Sequence, residues 1–263
     1  MSTVQPNLIA EHSGKLESVL TFARSARDIL LHPRRFVGTV LSSPEATPAG
    51  VLPPFKHLGM AIGFATLALP LHQALLRMGG FPERLLALAN RSPQEMVSDF
   101  EQMTGRHIAM IDLSSLTGFS LIDEPIADAV QFATFALLAT IIALWSGWRL
   151  KVKPLITYFA YVFGAILALQ IVTNFLEDLL FLSLSGGWES RMLQSSIVSS
   201  IVSLVGLGYI FVVPVVVLPG LLNVPRRIVL RGIVLGGLTW GVGGVLLSYM
   251  MMGMGIFVRG PGL

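Results

Sequence analysis

The chain has 263 residues, of which 53% are hydrophobic and only 13% charged, with a formal net charge of +3. Soluble chains carry about 25% charged residues, so this composition excludes a soluble globular domain and points to an integral membrane protein. The 18 basic residues are divided among gaps between apolar runs and form no stripe interleaved with aromatics, which excludes nucleic acid as a partner; the lack of cysteine excludes disulfides, Cys-ligated zinc, iron–sulfur clusters and thiol chemistry.

In chain order, Glu11 and Glu17 interrupt any apolar core near the amino terminus, so no cleaved signal is expected and the first crossing acts as its own insertion signal. Residues 1–56 are predicted to form a cytoplasmic segment. Within it the spacing of Leu16, Val19, Leu20, Ala23, Ala26 and Leu30 predicts an amphipathic helix over 13–31, ending at His32-Pro33 because proline disfavours helix at the residue before it. Such a helix lies either in the membrane surface or against the protein's own bundle. A proline-rich linker follows at 42–54.

Five apolar runs are long enough to cross a hydrocarbon core of about 30 Å as helices. They lie at about 57–77, 126–148, 155–175, 195–222 and 232–258, and together form a membrane domain over 57–258. The first contains Pro70 and His72, a kink signal beside a titratable ring. Between the first and second runs, the loop 78–125 carries seven acids against three arginines; Ser92-Pro93-Gln94-Glu95 reads as a helix start, with Gly105 as the stop. The corner between the second and third runs holds Arg149, Lys151 and Lys153 beside Trp145 and Trp148. A second basic turn holds Arg226, Arg227 and Arg231.

Basic residues number twelve in the amino-terminal segment and these two turns, against six on the opposite side. Short loops rich in Lys and Arg stay in the cytoplasm. The chain is therefore expected to be an all-α, polytopic, multi-pass protein of the bacterial cytoplasmic (inner) membrane, with its amino terminus cytoplasmic and its carboxyl terminus extracytoplasmic. Arg24, Arg27, Arg34, Arg35, Arg149, Lys151, Lys153, Arg226 and Arg227 are the expected contacts with anionic membrane lipid, each contributing about 1 kcal/mol.

Polar residues inside spans are costly and need a partner or a purpose. Asp128, Gln131 and Thr134 share a face early in the second span, and Gln170, Asn174, Glu177 and Asp178 share one late in the third. Antiparallel neighbours bring both groups to the same outer surface. There Asp128, Gln131, Gln170, Asn174 and Glu177 form a candidate polar intramembrane site suited to a hard cation or a proton step, unless they merely cap and wet helix ends. His72 is either a proton relay or a structural hydrogen-bonding group. Ser195, Ser196, Ser199, Ser200 and Ser203, and the pairs Gly232/Gly236, Gly237/Gly241 and Gly244/Ser248, suit close helix packing within the monomer or a homo-oligomer. Met250, Met251, Met252 and Met254 read as flexible apolar filling. No nucleophile elbow, HExxH helix or phosphate loop is present in the sequence, so no catalytic, cofactor or metal residue is assigned.

Ala26-Arg-Asp-Ile-Leu-Leu-His-Pro-Arg-Arg-Phe-Val37 resembles the opening of bacterial Yip-domain membrane proteins, in which an amphipathic segment with a Pro-basic-Phe motif precedes five spans. Thr157-Tyr-Phe-Ala-Tyr161 is similar to the aromatic start of a mid-chain helix in that family. The resemblance implies a non-enzymatic protein that organises a membrane-protein partner or the bilayer; in eukaryotes the family is linked to vesicle traffic and Rab-type GTPases. The alternative from the residues themselves is a small transporter or channel using the polar face of spans two and three. A lipid-modifying enzyme ranks third. Transport predicts a cavity lined by Asp128, Gln131, Gln170 and Asn174, whereas a scaffold predicts that face closed by packing.

Overall fold

The computed structural model describes residues 5–41, 51–82, 98, 101–102, 109–112, 120–253 and 256–259. Apart from one pair of four-residue strands, these residues are overwhelmingly helical. Two helices come first, α1 (Gln5–Leu31) and α2 (Pro33–Leu41). Then follow α3 (Pro54–Met78), β1 (Ala109–Asp112), α4 (Ser120–Trp145) and α5 (Val152–Ser183). The chain continues through α6 (Trp188–Ser195), α7 (Ile197–Leu207), a π-helical turn at Gly208–Val212 and α8 (Val213–Leu222). It closes with α9 (Arg226–Gly253) and β2 (Ile256–Arg259). Five helical segments are long and apolar enough to cross a membrane: Pro54–Met78, Asp128–Trp145, Val152–Ser183, Trp188–Leu222 and Arg226–Leu247.

The five spans match the expected runs in number and order, but their ends differ for local reasons. The first helix begins at Gln5 rather than 13, and His32-Pro33 ends it only to start another, because proline suits the first position of a helix as well as it opposes its interior. The third span runs 32 residues, about 48 Å at 1.5 Å per residue, well beyond the expected 155–175. The fourth starts at Trp188 instead of 195 and is broken: Ser195 Oγ and Ser196 Oγ donate to the carbonyls of Met192 and Leu193, a local pairing that competes with the helical ladder. The fifth begins at Arg226 rather than 232, so the second basic turn forms its first turns, and it ends at Gly253 with a strand in place of residues 256–258. The expected helix from Ser92 to Gly105 falls almost wholly outside the described residues.

The longest of these spans, α5, is the axis of the molecule. Its residues from Tyr158 to Ala165 are buried without interruption, and α1, α3, α4 and α7 all pack on it, α3 most extensively. Close approach is possible because Gly164 has no side chain: a Cβ there would lie 2.7 Å from the His57 ring of α3. That ring is fully buried, with its centroid 4.7 Å from Phe22 of α1 and 5.4 Å from Tyr161 of α5.

Two other helices complete the bundle: α9 packs on α4 and α8. Gly232 and Gly236 let it approach Ile142, and Trp145 Nε1 donates to Thr239 Oγ1 at 2.8 Å. The expected small-residue packing therefore lies within the monomer at Gly232/Gly236 and at Gly237, which faces Phe211, while a Cβ at Gly241 would meet open space.

The basic corner between α4 and α5 is shaped by Gly147 and Trp148, both with positive φ, and by Ser146 Oγ, which donates to the Ala143 carbonyl and accepts from the Leu150 N–H. Leu150 joins Ile29, Phe36, Val40, Leu155, Leu218 and Val229 in one core cluster, so α1, α2 and both basic turns share one end of the bundle. At the other end β1 and β2 pair in parallel, Ala109 beside Ile256 through Asp112 beside Arg259.

Of the two placements open to the amino-terminal helix, α1 takes the docked one. It does so with Phe22, Ser25, Ala26 and Ile29 and the half-buried Leu30, so that Ala26 and Leu30 of the expected stripe are packed, whereas Leu16 is 62% exposed and Val19, Leu20 and Ala23 are exposed as well. All nine basic residues expected to meet lipid are exposed. Arg27 also pairs with its neighbour Asp28 at 2.7 Å.

Candidate functional site

Spans are adjacent where α3, α4, α5 and α7 meet, yet they do not fill the space between them. They leave a cavity of about 690 Å³, within the range of small-molecule sites. Its lining is apolar at Ala65, Ala68, Leu69, Leu167 and Val202 and polar at His72, Asp128, Gln131, Gln170, Asn174, Asp178, Ser199 and Ser203. Helical spacing explains the convergence. Gln170, Asn174 and Asp178 are four apart on α5, Asp128 and Gln131 three apart on α4, and Ser199 and Ser203 four apart on α7, so each helix presents one polar ridge.

A hydrogen bond across the site ties α3 to α5: His72 Nδ1–H donates to Asp178 Oδ2 at 2.8 Å. Asp178 is 2% exposed and Asp128 7%, so neither carboxylate is wetting a helix end in the way that interfacial acids do. Pro70 lies two residues before His72 and cannot donate to the Thr66 carbonyl, which loosens α3 beside the pair. Among the described residues no Lys or Arg lines the cavity, and its titratable side chains are Asp128, Asp178 and His72. Nearby Arg191 is engaged elsewhere. Its guanidinium donates to the Gly79 carbonyl at 2.6 Å and lies over the Phe181 ring, 4.5 Å from the centroid.

Of the five residues expected to form the intramembrane site, the structure brings four, Asp128, Gln131, Gln170 and Asn174, to the cavity wall. Glu177 is not part of that wall. Its Oε1 accepts from the Ser199 N–H and so satisfies a first-turn donor of α7 that has no helical partner. The stripe on α5 splits at this point, Glu177 serving α7 and Asp178 serving α3. His72, Ser199 and Ser203 are wall residues that sequence reading had assigned to other roles or left open. The signal for His72 was its place beside a proline in an apolar run. The serines gave none, since small residues for packing and hydroxyls for a cavity look alike in sequence. Among the described residues no group of three or more His, Cys, Asp or Glu is arranged to hold a metal ion.

On the side of the basic turns the cavity gives way to the solvent-free cluster of Leu138, Ile142, Leu155, Tyr158 and Phe159. It therefore reaches from mid-span toward the β1–β2 end. Comparison with family models, curated proteins and solved structures finds no significant match for this chain.

Proposed function

We propose that this chain is a small multi-pass carrier that takes a small cation into the cavity between its first four spans. The observation that carries this reading is a chamber of about 690 Å³ walled in part by Asp128, Gln131, Gln170 and Asn174, the feature that separates transport from a face closed by packing. Asp128 and Asp178 are both buried in the wall, and carboxylates held in a low-dielectric site favour a ligand of positive charge. A packed core on one side and an open chamber on the other suit alternating access rather than a continuous pore. The loosened turn of α3 at Pro70 is the hinge for that change, and the His72–Asp178 contact is the latch that breaks when α3 moves. By the charge rule the basic turns face the cytoplasm of a bacterium, and the chamber opens outward.

The test is flux in proteoliposomes with Na⁺, K⁺ or tetramethylammonium as the driven ion. Wild-type protein should move at least one of them faster than empty vesicles, and Asp128→Asn should reduce that rate about tenfold or more, as expected for removing a charge from a desolvated site. Rates equal to those of empty vesicles for all three ions would refute the carrier reading. The Yip-like role, organising a partner protein at the membrane, is supported by the docked α1–α2 pair with exposed Arg24, Arg27, Arg34 and Arg35. It predicts that replacing these four by Glu abolishes partner capture while leaving ion flux unchanged.

A further inference from the structure

A second cleft, separate from the polar cavity, runs between α8 and α9 and holds about 500 Å³. Val215 and Ile233 form its buried floor, and Val212, Val216, Leu230 and Leu238 its exposed walls. Among the described residues its one polar lining residue is Arg226, at the end next to the turn. From Arg226 to Leu238 the groove follows α9 for twelve residues, about 18 Å. That is close to one leaflet of a hydrocarbon core of about 30 Å. The π-helical turn supplies Phe211 and Val212 to the groove, and Gly237 leaves room for Phe211, since a Cβ there would lie 2.8 Å from that ring.

The mouth of the groove is cationic. No Asp or Glu follows Glu189 in the chain, and among the described residues no carboxylate pairs with Arg226, Arg227 or Arg231. Arg227 and Arg231 are one turn apart on the same stripe of α9 as Leu238. These cations also crowd the amino-terminal end of a long helix, where the dipole repels them and attracts anions. Ile228 and Val229 turn their N–H groups back to the Pro225 carbonyl, and the N–H groups of Arg226 and Arg227 remain for an outside acceptor.

We infer that this groove is a binding site for one anionic phospholipid, with an acyl chain along Leu230, Ile233 and Leu238 and its phosphodiester held by Arg226, Arg227 and Arg231. An apolar trough one leaflet deep fits a chain, and three exposed guanidinium groups over helix N–H donors fit a phosphate, which arginine binds through paired hydrogen bonds. The site is independent of whatever the polar cavity carries.

Native mass spectrometry of the detergent-purified full chain, titrated with phosphatidylglycerol or phosphatidylcholine of identical acyl chains, tests it. One phosphatidylglycerol should be retained with about tenfold preference or more over phosphatidylcholine. The triple variant Arg226→Gln, Arg227→Gln, Arg231→Gln should lose that preference, and Val216→Trp, which fills the trough, should weaken both lipids. All three arginines and Val216 are exposed, so these variants should fold, with circular dichroism and size exclusion as controls. Equal retention of the two lipids, or retention unchanged in both variants, would overturn the inference. So would a lipid-free dimer that Val216→Trp disrupts, because the groove would then be covered by a second copy of the chain.

Discussion

His72 and Asp178 show what a buried carboxylate with one half-buried partner contributes between two helices. Removing the imidazole leaves a carboxylate that is 2% exposed without its donor. His72→Ala should therefore cost about 1–3 kcal/mol in unfolding free energy. A double-mutant cycle with Asp178→Ala, followed by denaturant titration in mixed micelles, should show a coupling of about 0.5–3 kcal/mol; additive losses would mean that the two groups do not depend on one another. Gly164 makes a different point at the same scale. The His57 ring it faces is held between Phe22 and Tyr161 and cannot swing away, so Gly164→Ala should destabilise by about 1–3 kcal/mol through overpacking. Gly63→Ala, where a Cβ meets open space, should be neutral or slightly stabilising in the same titration.

Helix α9 divides into a packed half and an open half. Gly232 and Gly236 are pressed against Ile142, where a Cβ on Gly236 would lie 2.8 Å from Cγ1, whereas Gly241 faces open space. Gly236→Val should separate α9 from α4, strain the Trp145–Thr239 hydrogen bond and lower stability by about 1–3 kcal/mol. Gly241→Val should leave unfolding unchanged. Equal effects at the two positions would show that glycine matters to this helix for reasons other than close approach. Helix α1 carries a related lesson: of its expected apolar stripe Leu16, Val19 and Leu20 stay exposed, and only Ala26 and Leu30 join the packed side. Docking selected Phe22, Ala26 and Ile29 because the aromatic ring fits beside His57, a shape match that hydrophobic spacing alone does not report.

Across the whole molecule, the two basic turns and α1–α2 gather at one end and the β1–β2 pair at the other. With no native cysteine, single replacements report sidedness directly. Lys151→Cys and Arg227→Cys should react with a membrane-impermeant maleimide only after cells are opened, and Gly187→Cys should react in intact cells. The reverse pattern would invert the topology and make the polar chamber face the cytoplasm. Labelling of both sets in intact cells would mean that five crossings do not occur.

Number, order and apolar character of the spans could be read along the chain, because a bilayer demands about 20 consecutive residues of one chemical kind and that demand is local. The same locality made the polar ridges on α4 and α5 legible, since helical spacing alone puts Gln170, Asn174 and Asp178 in line. What the chain could not reveal was which ridges meet. Whether Asp128 and Asp178 are wetted or buried, whether Glu177 caps a neighbouring helix or faces the chamber, and whether α8 and α9 leave a groove depend on contacts between residues far apart in sequence. Those contacts are decided by shape: a glycine beneath a histidine ring, a π turn that shifts Phe211, a serine-rich break in the fourth span. Hydrophobicity brought each segment into the membrane, and packing between segments determined where the empty spaces lie.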